Sequence, residues 1–330
     1  MDNELLEPFD RMLADAVPPE AVRRVDAGGD ASAIWAAVAQ SGFLDALVSE
    51  EAGGFGLSLA EIEPLLRALG SRTVPVPVAE TMVARALLAT AGVERPDGPI
   101  VLATAARTES GWATAAVPLA GVAAHALVEL GEGTAVLVDL DGDVVEATGV
   151  HGSRGGILRL PAEPTARARI SVEEGALRAA AATLRAAAIA GAGDRLLDMT
   201  AAYANERVQF GKPIGRQQAI QQQLAVMAEH AIAARIAAQY GCARGLPVPQ
   251  RAAATAKTVA SQAATPLATI AHAVHGAIGI SEEYDLQLFT RRLHEWRLAD
   301  GSEGYWAGLL GAARVKSNAE TSIGFVRGAA

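Results

Sequence analysis

From Glu173 to about Gln209 no proline interrupts the chain, and Leu177, Leu184, Ala188, Ala192, Leu196, Met199 and Tyr203 recur on one helical face. A helix that long needs neighbours to bury its stripe, and the sequence provides them. Gly211 and Pro213 stop it. A second helix is expected from about Arg216 to Ala243, with Ile220, Leu224, Met227 and Ile236 facing inward. A third spans about Arg251 to His275, where Pro266 should kink it and Gly276 and Gly279 end it. A fourth begins near Asp285, and a last short one follows Gly301. Short connections between long helices predict an antiparallel four-helix bundle over residues 171–330. Alanine does much of the packing and aromatics are only 4%. Small side chains let helices approach closely, so this composition suits a bundle.

Upstream the pattern changes twice. Residues 1–95 read as a helical domain. Ile34, Val38 and Leu44 to Leu47 are apolar beside Trp35, and a Gly53-Gly54-Phe55-Gly56 loop interrupts them. Ser58 is expected to cap a helix bearing Ile62, Leu65, Leu66 and Leu69. Pro75 and Pro77 precede another alanine-rich helix near Thr81 to Ala91. Residues 96–170 form a small β region that opens on the turn Pro96-Asp97-Gly98-Pro99. Its short runs are Ile100 to Leu102, Ala126 to Val128, Ala135 to Val138, Val144-Val145 and Ile157-Leu158. Turns at Asp141-Gly142 and Gly155-Gly156 punctuate them. The fold class is therefore mostly α, an α+β multidomain chain, and no short internal repeat is visible.

Charge and cysteine usage exclude several functions. A formal charge of −9 disfavours nucleic-acid binding, which needs a basic face. The single cysteine, Cys242, excludes an internal disulfide. The acidic start, Met-Asp-Asn-Glu, is unlike a signal peptide. No membrane span is expected: the nearest uncharged run, Ala113 to Leu130, carries His125 and Glu129. The expected location is cytoplasmic, by default rather than by a signal. His272 and His275 lie three apart but lack further ligands, so they read as core or turn histidines, and no metal site is expected. Arg291, Arg292 and Arg297 read as a solvated basic face. Gly152-Ser153-Arg154-Gly155-Gly156 lacks the strand-to-helix setting of a nucleotide-binding loop.

The strongest local signal is Glu206-Arg207-Val208-Gln209-Phe210-Gly211-Lys212-Pro213-Ile214, followed by Gln217-Gln218-Ala219-Ile220. It can be read simply as a helix end with Gly and Pro as stops. It can also be read as a ligand site, with Arg207 offering a planar fork to a pyrophosphate and Phe210 covering an aromatic ring. The stretch resembles the C-terminal signature of the acyl-CoA dehydrogenase family. Ser41-Gly42-Phe43-Leu44 through Gly53-Gly54-Phe55-Gly56-Leu57-Ser58 resembles that family's N-terminal domain, and Val274-His275-Gly276-Ala277-Ile278-Gly279-Ile280 its glycine-rich turn. Three matches in order, on a helix–β–helix organisation, make the resemblance specific.

The resemblance implies an N-terminal helical domain, a β-barrel-like middle domain, here reduced, and a C-terminal four-helix bundle. It also implies FAD as cofactor and α,β-desaturation of an acyl-CoA thioester as reaction. That chemistry needs a carboxylate to remove the α-proton, a flavin to take the β-hydride, and donors to polarise the thioester carbonyl. In most of the family the base is a glutamate in a Tyr-Glu-Gly-Thr-Ser-like turn, and that position falls on Asp300 in Ala299-Asp300-Gly301-Ser302-Glu303. A minority place the glutamate early in the first bundle helix, where this chain has Ala181. Asp300 is thus either a base with a shorter arm or a helix N-cap paired with Glu303. As a base it must be repositioned, because misplacement by about 1 Å can cost on the order of a hundredfold in rate.

By the same resemblance Arg207, Gln209, Phe210 and Gln218 reach the FAD of a neighbouring subunit, and Gly276 and Ser302 also line the cofactor site. The chain departs from the pattern at Ala273, where a glutamine is usual, and at Ala277, where a glycine is usual. The middle domain lacks a Thr-Glu-Pro…Gly-Ser-Asp-like loop and a Trp-Ile-Thr/Ser-like segment. Ala115 to Leu140 look like a later strand pair of that domain. This is similar to the short subunits of actinobacterial heterotetrameric acyl-CoA dehydrogenases, which pair with a full-length subunit and act on bulky acyl-CoA such as steroid side chains. The implied partners are an acyl-CoA substrate, a full-length subunit or a second copy, and an electron-transferring flavoprotein. Three functions are open: an acyl-CoA dehydrogenase subunit with its own base, a non-catalytic subunit that completes its partner's FAD site and substrate cavity, or a stand-alone flavoprotein with other flavin chemistry, which the absent middle-domain loops disfavour.

Overall fold

The computed structural model describes residues 2–141 and 144–327; Gly142, and with it the second half of the expected Asp141-Gly142 turn, lies outside the described residues. Helices α1 (Asp2–Ala16), α2 (Pro19–Asp26), α3 (Ser32–Gln40), α4 (Glu63–Ser71) and α5 (Val78–Thr90) form the N-terminal region. Phe9, Leu13, Val25, Val38, Ile62 and Met82 are fully buried and hold these helices together. The expected cap of α4 is displaced. Ser58 and Glu61 do exchange bonds, the Ser58 N–H donating to Glu61 Oε2 at 2.8 Å and the Glu61 N–H to Ser58 Oγ at 3.2 Å. They close a turn, and α4 starts two residues later at Glu63, followed by Pro64.

The middle region is one seven-stranded sheet. Its strands are β1 (Ile100–Thr108), β2 (Gly111–Val117), β3 (His125–Gly131), β4 (Thr134–Asp139), β5 (Val145–Ala147), β6 (Gly156–Pro161) and β7 (Ala168–Ser171), in the order β5-β6-β2-β1-β3-β4-β7. All pairs are antiparallel except β1 with β3, whose register sets Ile100 opposite His125. The sheet exceeds expectation: β2 and β7 add to the runs visible in the sequence. Side chains alternate between two cores, as a period of two requires. Ile100, Leu102, Leu127 and Leu137 face the helices, while Val101, Ala103, Val128 and Val138 fill the sheet's other side. Ala113 to Leu130 is thereby a strand, a turn and a strand.

The sheet feeds the bundle through a buried carboxylate. Glu129 of β3 accepts from the Gly175 N–H at 2.5 Å and the Leu177 N–H at 3.1 Å. It thus satisfies free donors and the positive end of the next helix, α6 (Ala176–Glu206). A two-strand hairpin, β8 (Val208–Gln209) and β9 (Lys212–Pro213), leads to α7 (Gln218–Cys242), then α8 (Gln250–His275), α9 (Leu286–Leu298), α10 (Glu303–Lys316) and α11 (Ser322–Arg327). Helix α8 runs through Pro266. By length and composition α8, extended to Ile280, could cross a membrane. In this fold it packs against α6, α7, α9 and α10.

On α7 the inward residues are Met227, Ala231, Ala234 and Ala238, whereas Ile236, expected inside, is 60% exposed. The α6 neighbourhood is packed by backbones: Gly191 of α6 lies on Arg67 of α4, and Gly70 of α4 lies on Ala188 of α6. A Cβ on Gly191 would stand 1.9 Å from the Arg67 carbonyl oxygen, and one on Gly70 2.2 Å from that of Ala188.

Candidate active site between the sheet and the bundle

A cavity of about 760 Å³ opens between β2, the 148–155 loop and the turn joining α9 to α10. That volume suits a small-molecule ligand. Ala116, Val150, Ser153, Arg178, Leu298 and Asp300 are among its walls. The loop Gly152-Ser153-Arg154-Gly155-Gly156 helps to build it: Ser153 Oγ donates to Glu295 at 2.6 Å, and Gly152 lies so close to Arg291 that a Cβ would strike its guanidinium.

Asp300 sits in the wall in a left-handed conformation, φ +56°, followed by Gly301 at φ +102°. A Cβ on Gly301 would meet Tyr305 at 2.6 Å and Trp306 at 2.7 Å, so the turn requires glycine there. Trp306 Nε1 donates to the Asp300 carbonyl at 3.0 Å and locks the turn. The helix N-cap is Ser302, whose Oγ accepts from the Tyr305 N–H at 3.4 Å. Asp300 is therefore not the cap, and Glu303 pairs instead with Arg297. The predicted cofactor residue Ser302 uses one acceptor position of its Oγ in this cap, and its O–H makes no hydrogen bond among the described residues.

Two carboxylates face the cavity. Glu295 has both oxygens engaged, one by Ser153 Oγ and one by Arg292 Nη1, each at 2.6 Å. Asp300 accepts from Arg185 Nε at 3.1 Å through Oδ2, while Oδ1 has no hydrogen bond among the described residues. Arg185 also lies 2.5 Å from Glu80 Oε1 of α5, and the two side chains are 5% and 3% exposed. Burial opposes the Arg185 charge, but the Glu80 and Asp300 carboxylates outweigh it and raise its pKa above the ordinary value. Lys257 of α8 is fully buried beneath the same turn. Its Nζ donates to Ser261 Oγ at 2.9 Å and to the Trp296 and Arg297 carbonyls at 2.8 Å. It so caps the C-terminus of α9. Burial pushes its pKa down to about 7, against the pull of Asp300.

The sequence reading missed Glu80, Arg185 and Lys257. A signal was there: each is a charge within an apolar or alanine-rich helical run, where a solvated residue is out of place. The expected solvated basic face is also corrected. Arg292 is buried and bonded to Asp26 at 2.5 Å, Arg291 reaches the same carboxylate at 3.4 Å, and Arg297 pairs with Glu303. His275 behaves as expected of a core histidine: it is stacked on Tyr203 at 4.4 Å, Nδ1 bonded to the Ala271 carbonyl, with burial lowering its pKa. No group of side chains among the described residues could hold a metal.

The other predicted cofactor residues lie elsewhere. Arg207 is the C-cap of α6, Gln209 and Phe210 form the hairpin, Gln218 starts α7 and Gly276 ends α8 at φ +63°. Tyr203 donates to the His275 carbonyl at 3.3 Å, which brings the ends of α6 and α8 together. None of these residues lines the cavity. Along α6, Arg207 is 22 residues beyond Arg185, or about 33 Å at the α-helical rise. Phe210 is 90% exposed at φ +54°, and the Arg207, Gln209 and Gln218 side chains make no hydrogen bond among the described residues. A free guanidinium, two free amides and an uncovered ring fit a group that is both anionic and aromatic, such as FAD. They do not fit one held in this chain's own cavity.

Comparison with known proteins follows this architecture. Residues 174–313 match the acyl-CoA dehydrogenase C-terminal domain. The acyl-CoA dehydrogenase IpdE2 of Mycobacterium tuberculosis is 32% identical over 318 residues, covering 88% of this chain and 90% of that one. This chain belongs to the acyl-CoA dehydrogenase family. FadE34 of the same organism, another acyl-CoA dehydrogenase, is 31% identical over 92% of this member but only 46% of FadE34. The ChsE4-ChsE5 complex from M. tuberculosis contains a chain that superposes with a TM-score of 0.80 at 24% identity, covering 96% of this chain and 98% of that one. The steroid acyl-CoA dehydrogenase Tcur3481-Tcur3483 follows at 0.78 and 25%, over the same shares. Family membership confirms the helical–β–helical organisation read from the sequence; the middle region is one sheet in linear strand order.

Proposed function

We propose that this chain is one subunit of a hetero-oligomeric, FAD-dependent acyl-CoA dehydrogenase, with Asp300 removing the α-proton of an acyl-CoA thioester. The observation that carries it is the separation of two half-sites: a cavity holding a free carboxylate oxygen, and an exposed hairpin about 33 Å away along α6 that has nothing of its own to bind. FAD, when bound, supplies the acceptor for the β-hydride. The chain's own residues supply the rest. Among the described residues Asp300 Oδ1 is the one cavity-wall carboxylate oxygen without a hydrogen bond, so it takes the proton. Ala116, Val150 and Leu298 line the cavity and are exposed, which leaves an apolar wall for the acyl chain to cover. Arg207, Gln209, Phe210 and Gln218 clasp the cofactor of the neighbouring full-length subunit, as the ChsE4-ChsE5 and Tcur3481-Tcur3483 pairings suggest. An electron-transferring flavoprotein is the proposed re-oxidant, and the cytoplasm the proposed location.

A second reading is favoured by one contact: Arg185 already holds half of the Asp300 carboxylate. In that reading the chain is a non-catalytic subunit that shapes its partner's site. The test is to produce the chain alone and with its full-length partner, measure bound flavin by absorbance, and follow bleaching by acyl-CoA with Asp300 intact and as Asp300→Asn. Full flavin occupancy in the isolated chain refutes the hetero-oligomer. Unchanged bleaching in the variant removes Asp300 from the mechanism and leaves the second reading.

A further inference from the structure

Four charges from two regions meet behind the cavity wall. Glu80 comes from α5 of the N-terminal region, Arg185 from α6, Lys257 from α8, and Asp300 from the α9–α10 turn. Glu80, Arg185 and Lys257 are buried, and the Asp300 side chain is 13% exposed. Their formal charges cancel in pairs. Arg185 donates Nε to Asp300 at 3.1 Å, and its Nη1 forms an ion pair with Glu80 Oε1 at 2.5 Å, so the guanidinium is held between two carboxylates. Arg185 Nη2 and Glu80 Oε1 have no hydrogen-bond partner among the described residues, so Asp300 holds the group by a hydrogen bond and Glu80 by charge.

Asp300 needs such a clamp. Its backbone is left-handed, and its arm is one methylene shorter than the glutamate usual in this turn. An unheld carboxylate there could rotate into the cavity or away from it. With Oδ2 tied to Arg185, Oδ1 has a fixed direction. Because Glu80 belongs to another region, that direction is set by how the N-terminal helices dock on the bundle.

We propose that Arg185 is a positioning residue: held by Glu80, it fixes the Asp300 carboxylate with one oxygen bound and the other aimed at the substrate. The proposal rests on the reading of Asp300 as base, and it extends that reading to two residues outside the cavity wall.

A charge-balanced double substitution separates positioning from simple charge burial. Arg185→Met alone strands two carboxylates, and the protein could merely unfold. Glu80→Gln with Arg185→Met removes one charge of each sign and leaves Asp300 with Lys257. The wild-type complex and the double variant are compared in three measurements. The first is melting temperature. The second is flavin bleaching by butanoyl-CoA and by a steroid-ring acyl-CoA, analysed as limiting rate against KM. The third is a crystal structure of the full chain with its partner. Positioning predicts a double variant that melts within a few degrees of wild type and has an unchanged KM. Its limiting rate falls on the order of 100-fold, the effect of about 1 Å of misplacement, and its Asp300 carboxylate is displaced by at least that much. Arg185→Lys recovers part of the rate by restoring one donor. An unmoved carboxylate, or a bleaching rate equal to wild type at retained stability, overturns the proposal. If Asp300→Asn bleaches normally, the base reading fails instead, and the crystallographic comparison alone decides whether Arg185 positions the carboxylate.

Discussion

The crossing of α4 on α6 allows a test in which the same substitution should have opposite signs at two sites. Gly191 and Gly308 both lie inside helices. At Gly308 an added Cβ meets nothing within 4 Å, and the residue is exposed. Gly308→Ala should therefore stabilise the chain by the helix-propensity difference, about 0.5–1 kcal/mol. Gly191→Ala gains the same term, but its Cβ would lie 1.9 Å from the Arg67 carbonyl oxygen and 2.7 Å from the carbonyl carbon. An unstrained C···O contact is about 3.3 Å, so the helices must part by roughly 1.4 Å. The obstacle is backbone, which cannot turn aside as a side chain can. Gaps of about 0.5–1 Å already forfeit a quarter to a half of each dispersion contact. Buried Leu66, Leu69 and Ala187 would lose contacts along the crossing. The overlap should outweigh the propensity gain and give a net destabilisation of about 3 kcal/mol, the upper end for overpacking. Urea denaturation of the two variants beside wild type measures both. If both substitutions stabilise, or if they differ by less than about 1 kcal/mol, the backbone-on-backbone account of this interface is wrong.

Three further outcomes follow from the site. Lys257 has a folded-state pKa of about 7, below the 10.5 of a free lysine, so between those values the unfolded chain holds a proton that the folded one lacks. Wild-type stability relative to Lys257→Met should therefore rise with pH, by about 2 kcal/mol from pH 7.5 to 9. A flat difference, or a lysine Nζ resonance still protonated at pH 9 by nitrogen NMR, contradicts this. Asp300→Asn keeps a residue type that tolerates the left-handed turn, so the fold should survive by circular dichroism while flavin bleaching in the complex falls 100-fold or more. Phe210→Ser alters a side chain that is 90% exposed, so the isolated chain's stability should stay within about 0.5 kcal/mol. The flavin-to-protein ratio of the complex should drop; an unaltered ratio removes Phe210 from the cofactor site.

The bundle was legible because long helices declare themselves by period and by their stops. Four helix bodies were placed, with ends shifted by a few residues: α6 ends at Glu206 rather than Gln209 because Val208 and Gln209 pair with Lys212 and Pro213. Ile236 was misplaced because alanine, not isoleucine, is the packing residue of α7; a rule that sends the largest apolar residue inward fails where helices touch through methyl groups. The β region was half visible. Its runs were short, and Gly111 to Val117 is rich in alanine and threonine, whose pattern does not distinguish a strand from a helix. The family resemblance pointed to Asp300 by its place in a turn. Its partners were not found, because Glu80, Arg185 and Lys257 are scattered along the sequence and meet only when three helices from two regions dock. A local reading can assign Asp300 and Glu303 to a cap, but not foresee that Arg297 and Arg185 draw them in different directions.

The hairpin and the cavity share no residue. Mutational drift can therefore erode one without disturbing the other's geometry. After a gene duplication, one copy can let its cavity decay while its hairpin stays under selection, provided the sister copy keeps a cavity. The reverse loss is equally open to the sister. Once complementary losses have accumulated, neither copy can return to independence by a single substitution, since a whole half-site would have to be rebuilt. A homomeric ancestor would thus be ratcheted into an obligate pair, with selection then acting on the matched expression of two genes rather than on the competence of either product alone.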